Sequence, residues 1–228
     1  SRRSGSVRIE SRMTCPVGSP AMFVRSLALG VFGVWLSGAT AVPLAAQEDG
    51  EADGAATPAA LVKVGSPVDE TVVGAVENEA LKLQRDAEEA GTRAVLVLQI
   101  TPGSSRFGPV RDLAQFLTSA RLSDVRTVAW VPESVDGHNA IVALACEEIV
   151  MHPDAELGDL GRGDALERAD EAFVVALAEK RHNRFLSAAL VRGLADPGVA
   201  VLKATLGDGA DAEVQTLTAD GLKELRDT

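Results

Sequence analysis

The run Asn-Ala-Ile-Val-Ala-Leu-Ala-Cys at 139–146 meets no charge until Glu147. A helix built from it has no polar face, so it must be buried on most sides. The segment before it, 127–131, is short, β-rich and apolar, and Pro132 stops it. The segment after it, 148–151, reads as a second strand bounded by Pro153 and Gly158. A strand that feeds the chain into the start of a buried helix aims free N–H groups at whatever sits there. Such a turn can stabilise a nucleophile or an anion.

The chain upstream repeats the same alternation. Val62, Val64 and Val68 mark a strand over 61–68, with Pro67 at its end or edge. Asp69 or Thr71 caps a helix whose apolar face is Val72, Val76, Ala80, Leu83, Ala87 and Ala90, and Gly91 ends it. The near-continuous apolar run at 93–100 predicts a parallel strand covered on both faces. A helix over 107–121 and the strand at 127–131 follow. The order β-α-β-α-β-α-β argues for a mainly parallel sheet with right-handed crossovers. Downstream, a helix over 164–181 turns Ala165, Ala169, Ala172, Phe173, Ala176 and Leu177 inward, and a shorter one spans 185–193. A hairpin of 199–206 with 213–217 and a helix from Thr218 to Leu225 complete the chain.

Residues 25–46 read as a secretory signal peptide: Arg25, an apolar run to Leu36, then small residues ending Leu44-Ala45-Ala46. An uncleaved anchor is the alternative. Met13 and Met22 are both possible starts, so 1–12 reads as an over-extended gene start. The acidic, Ala-rich stretch 47–60 is a linker. It leaves a main domain over 61–196 and a C-terminal hairpin with a short helix over 197–228. The chain carries net charge −11, and its first 46 residues hold five Arg and one Glu, so the remainder is more acidic still. That balance argues against a nucleic-acid partner and against an electrostatic grip on anionic lipid. Cys146 stands alone once Cys15 is assigned to the leader, so no disulfide framework or metal cluster is expected. His138, His152 and His182 have no ligand spacing.

The segment Ile141-Val142-Ala143-Leu144-Ala145-Cys146-Glu147-Glu148-Ile149-Val150-Met151, with Pro153 and Leu157-Gly158 in step, resembles the ClpP-class serine proteases. More closely it is similar to the protease-like domain of NfeD-type membrane proteins. The resemblance implies a ClpP/crotonase-like α/β fold over 61–183. It also assigns roles. The family's nucleophilic serine falls on Gly137. Its D-T-P-G-G oxyanion loop falls on Ile100-Thr101-Pro102-Gly103-Ser104, so the backbone of Gly103, Ser104 and His138 would form the hole. Its catalytic lysine falls near Ala165, in a stretch, 158–168, that holds Arg162 and Arg168 but no lysine. Arginine cannot be the base, because its pKa is far too high. Lys180 lies at the far end of the following helix.

Nucleophilic catalysis needs an oxygen or sulfur and a base beside it. Gly137 offers neither. Ser134 with His138 is the weaker alternative pair, and Ser104 and Ser105 are weaker still as nucleophiles. Three functions compete. One is a non-catalytic, NfeD-like domain of the cell envelope that serves as a scaffold or binds a peptide or envelope protein. Another is an active serine endopeptidase with a rearranged site. The third is a crotonase-like acyl-CoA enzyme, which export disfavours because CoA is cytosolic. No cofactor or metal is expected. The family implies a homo-oligomer, built through the helix at 164–179. It also implies periplasmic or membrane-associated placement, through C-terminal membrane segments beyond this chain or an uncleaved leader.

Overall fold

The computed structural model describes residues 7–10, 57–181, 186–206 and 213–227. The signal-peptide reading, and the linker reading up to residue 56, lie outside them. Residues 59 and 60, read as linker, are already strand.

Four parallel strands form the centre: β2 (Ala59–Val64), β3 (Ala94–Ile100), β4 (Val125–Val131) and β6 (Glu148–Met151), hydrogen-bonded in that order. The register is continuous, with Val62, Leu98, Ala129 and Ile149 in one row. One face is closed by helices. On it Leu96, Leu98, Ile100, Ala129 and Val131 are fully buried. The fold is thus the mixed α/β architecture with a parallel sheet that the β-α alternation predicts. The run at 93–100 is covered on one face only, however. Val95, Val97 and Gln99 remain partly exposed on the other, because no described element packs there.

Helix α1 (Glu70–Ala90) starts at Asp69, whose carboxylate accepts the Val72 N–H at 2.9 Å. It ends at Gly91, in the left-handed region at φ 62°. Its apolar stripe of Val76, Ala80, Leu83 and Ala87 lies in the core. Helix α2 (Phe107–Leu117) buries Val110, Leu113, Ala114, Phe116 and Leu117. Helix α3 (Asn139–Leu144) is buried at every residue, as an uncharged helix must be. Two further strands, β5 (Val135–Asp136) and β7 (Leu157–Gly158), pair in parallel and draw 134–137 against 156–162.

Helix α4 (Arg168–Arg181) begins later than expected, and Ala165 lies in the turn before it. Its buried residues are Val174, Val175, Leu177 and Ala178, while Ala169, Ala172 and Ala176 are exposed. The expected alanine face loses because branched aliphatics remove far more apolar area from water. Helix α5 (Ala188–Ala195) packs on a three-stranded antiparallel sheet of β1 (Val7–Glu10), β8 (Val201–Leu206) and β9 (Glu213–Thr218). Helix α6 (Ala219–Asp227) follows directly. No helix among the described residues is long and apolar enough to cross a membrane.

Burying α3 leaves carbonyls at its C-terminal end to satisfy. Arg181, in the last turn of α4 and with its side chain only 13% exposed, does so. Its Nε donates to Ala145 O at 2.6 Å and its Nη2 to Leu117 O, the last carbonyl of α2. A charged donor at two helix C-termini also complements both macrodipoles. Arg181→Met should cost about 2–3 kcal/mol of unfolding free energy in urea titration, because the carbonyls then stay buried without a donor.

Cys146 is fully buried, and its Sγ lies 3.4 Å from Val142 O. Burial pushes its thiol up to about 12 from an ordinary 9.0. The folded chain therefore keeps a neutral thiol at pH values where the unfolded chain ionises it. This contribution to stability is intact below pH 9.0 and is lost as the pH rises towards about 12. Urea midpoints of the wild type should fall relative to those of Cys146→Ala across that window and run parallel below it.

Candidate functional site

The turn that enters α3 is the centre of the site. Gly137 adopts φ 73°, a left-handed conformation that suits glycine. Its N–H donates to Asp159 O at 2.9 Å, and its carbonyl accepts the Ala140 N–H at 3.1 Å. Gly103, in the loop after β3, has φ 146°; a Cβ there would lie 2.0 Å from Ser66 Oγ. Backbone conformation favours glycine at both positions, and at Gly103 close approach adds to it.

Asn139, 1% exposed, ties this loop to α3. Its Nδ2 donates to Thr101 O at 2.9 Å, and its Oδ1 accepts Ser105 Oγ at 2.5 Å. Ser105 Oγ in turn accepts the Val68 N–H at 2.7 Å. The amide thus ties the loop after β3 to α3, and Ser105 extends the tie to Val68. His138 adds a second tie. Its Nδ1 lies 2.8 Å from Ser105 O, and since a carbonyl can only accept, that nitrogen carries the proton. The His138 ring stands edge-on to Phe107 at 5.4 Å, and Phe107 contacts Phe173 of α4 at 6.0 Å.

Arg162 closes the site. It follows β7 in the left-handed region at φ 55°, with its N–H on Asp159 O at 3.2 Å. Its side chain crosses the face of Gly137, so that a Cβ on Gly137 would meet Arg162 Nε at 2.6 Å. Beyond that point its Nη2 donates to Gly103 O at 2.5 Å. A guanidinium therefore lies where a side chain at 137 would project, and it spans the two loops that frame the site.

The expected residues separate into those the fold gathers and those it does not. Gly103, Gly137 and His138 come together around Arg162 and Asn139. Ser104 is exposed on the same loop. Ser134 and His138 do not pair: Ser134 Oγ accepts the Glu156 N–H at 2.9 Å, while His138 turns to Ser105. Ala165 is exposed and has no group able to accept a proton. Ser105 is engaged on both sides of its hydroxyl and acts as a strut. Sequence reasoning passed over Asn139, although one amide at the head of an otherwise apolar run was the visible signal. It weighed Arg162 only as an unsuitable base; its reach across Gly137 depends on the β5–β7 pairing. Among the described residues no group of His, Cys, Asp and Glu side chains could hold a metal ion.

No family model and no curated protein matches the chain. Among solved structures it is similar to a mutant of the 1510-N membrane-bound stomatin-specific protease in complex with a substrate peptide. That match has 12% identity, covers 75% of this chain and 71% of that one, and has a TM-score of 0.45. A second mutant of the same protease matches at 12% identity over 74% of this chain and 77% of that one, with a TM-score of 0.47. ThnE from S. clavuligerus matches at 14% identity over 61% and 62%, with a TM-score of 0.40.

Gly137→Ala should cost about 2 kcal/mol, from the positive φ and from the contact with Arg162. In an Arg162→Ala background only the backbone cost remains. A double-mutant cycle in urea should therefore show at least about 0.5 kcal/mol of coupling, the mark of residues in direct contact.

Proposed function

We propose that this chain is a non-catalytic, NfeD-like member of the ClpP class, exported to the cell envelope, where it acts as a scaffold or holds a peptide segment of an envelope protein. One observation carries the reading. The position from which a ClpP-class serine would attack is a left-handed glycine, and the Arg162 side chain lies over it, bonded to Gly103 O. Covalent turnover needs a nucleophile and a base at that point, and glycine and arginine supply neither. Gly103 and Gly137 place two backbone loops on either side of that point, a frame that can bind without a nucleophile. The secretory pattern at 25–46 supports export, and the acidic charge balance supports a protein or peptide partner over nucleic acid.

The test is labelling with a fluorophosphonate, followed by digestion of a casein-derived peptide pool. The purified chain should take no label and release no fragments. Gly137→Ser alone should remain inert, because Arg162 lies in the path of the new hydroxyl. Gly137→Ser combined with Ala165→Lys and Arg162→Ala should begin to label if the frame is intact. Labelling of the unmutated chain that disappears in Ser134→Ala would overturn the reading and establish a rearranged active site.

A further inference from the structure

A cavity of ≈ 130 Å³ lies at the C-terminal ends of β2, β3 and β4, lined in part by Lys63, Gln99, Thr101, Pro102, Pro132 and Glu133. That end of an open parallel sheet is where its ligands bind. Two of these residues carry opposite charges. Lys63 and Glu133 are both exposed, and neither has an ion-pair or hydrogen-bond partner among the described residues. They do not pair with each other, although they line one cavity. Charges within reach elsewhere on the sheet do pair, as Arg126 of β4 does with Glu148 of β6. A third residue of the wall adds a neutral group. Thr101 Oγ1 is buried and has no hydrogen-bond partner. Thr92 and Ser119 share that condition among the described residues, and neither lines this cavity. A buried hydroxyl left unpartnered is costly, and a bound polar group is a common reason for one.

We propose that this cavity binds a compact zwitterion of the amino-acid class. Lys63 takes its carboxylate and Glu133 its ammonium. The Thr101 hydroxyl and the Gln99 amide supply neutral hydrogen bonds, and Pro102 and Pro132 form an apolar shelf for a short side chain. The two charges select the ligand. A simple anion would meet the carboxylate of Glu133, and a simple cation would meet the ammonium of Lys63. Only a molecule carrying both charges satisfies both residues. Size agrees with charge. A water occupies about 10–15 Å³ of such space, so the cavity takes a molecule of about ten non-hydrogen atoms. A free amino acid fits that limit and a nucleotide does not. The affinity is roughly millimolar, as so few atoms at an exposed site allow.

The cavity is separate from Gly137 and does not rest on the functional reading above. It shares a loop with that site, however. Thr101 O and Gly103 O are the acceptors for Asn139 and Arg162. A molecule held against Thr101 and Pro102 therefore bears on the loop that frames the candidate site.

Saturation-transfer NMR titration of the full chain tests the proposal with three probes: L-leucine, N-acetyl-L-leucine, which lacks the ammonium, and L-leucinamide, which lacks the carboxylate. L-leucine should saturate in the millimolar range, and each blocked form should bind at least about tenfold more weakly. Lys63→Gln should abolish the preference for L-leucine over L-leucinamide and keep the preference over N-acetyl-L-leucine. Glu133→Gln should do the reverse. Both residues are exposed, so thermal unfolding should be unchanged in either variant. Glycylglycine, of similar size with its charges further apart, separates two sources of the same chemistry. Saturation by either zwitterion supports the site, and the tighter of the two names a free amino acid or a dipeptide. Three results would overturn the proposal. They are no saturation by either zwitterion up to about 20 mM, binding indifferent to both substitutions, or discrimination against one blocked form only, which would mark a plain anion or cation site.

Discussion

A helix buried on every side has two ends, and each end exposes backbone groups that water cannot reach. Much of the structure follows from satisfying the ends of α3. At its C-terminus Arg181 reaches in from α4 and donates to Ala145 O and Leu117 O, so that one side chain closes α2 and α3 together. At its N-terminus Asn139 and His138 hold the loop after β3 through Thr101 O, Ser105 Oγ and Ser105 O. Neither set of bonds could be lost cheaply, because a buried polar group left without a partner costs more than the bond itself contributes.

The same constraint shapes the candidate site. The loop carrying Gly103 and the turn carrying Gly137 are positioned by the backbone, by Asn139 and by Ser105, none of which need take part in chemistry. Arg162 then occupies the gap between them. Its guanidinium is planar and permanently charged, with several donors in a fixed fork, so it can bridge a carbonyl on one loop while its stem lies over the glycine of the other. A serine at 137 would need that stem to move. The glycine at 137 and the placement of Arg162 are therefore one arrangement.

Much of the architecture was legible in the chain itself. The alternation of apolar runs with 3.6-period segments predicted parallel strands and their helices, and the uncharged run at 139–146 predicted its own burial. Asp69, Gly91 and Pro132 marked boundaries by local chemistry that needs no tertiary partner. Prediction failed where two apolar sets competed for one core. In α4 the alanines share a helical face as regularly as Val174, Leu177 and Ala178 do, and only packing volume decides between them. It failed again at 93–100, where a strand apolar on both faces does not reveal whether both faces are covered.

The site divides in the same way. The sequence alone determined that position 137 is glycine, that no lysine lies between 158 and 168, and that a Pro-Gly turn follows the second central strand; these are matters of composition and order. Only the tertiary structure decided that Ser134 bonds Glu156 and not His138, that Asn139 joins the loop after β3 to α3, and that Arg162 lies across Gly137. Each of these contacts joins residues brought together by the pairing of β5 with β7 or by the approach of the β3 loop to α3. Strands of two residues carry too little periodicity to be read from the chain, and their partners are chosen by the packing around them.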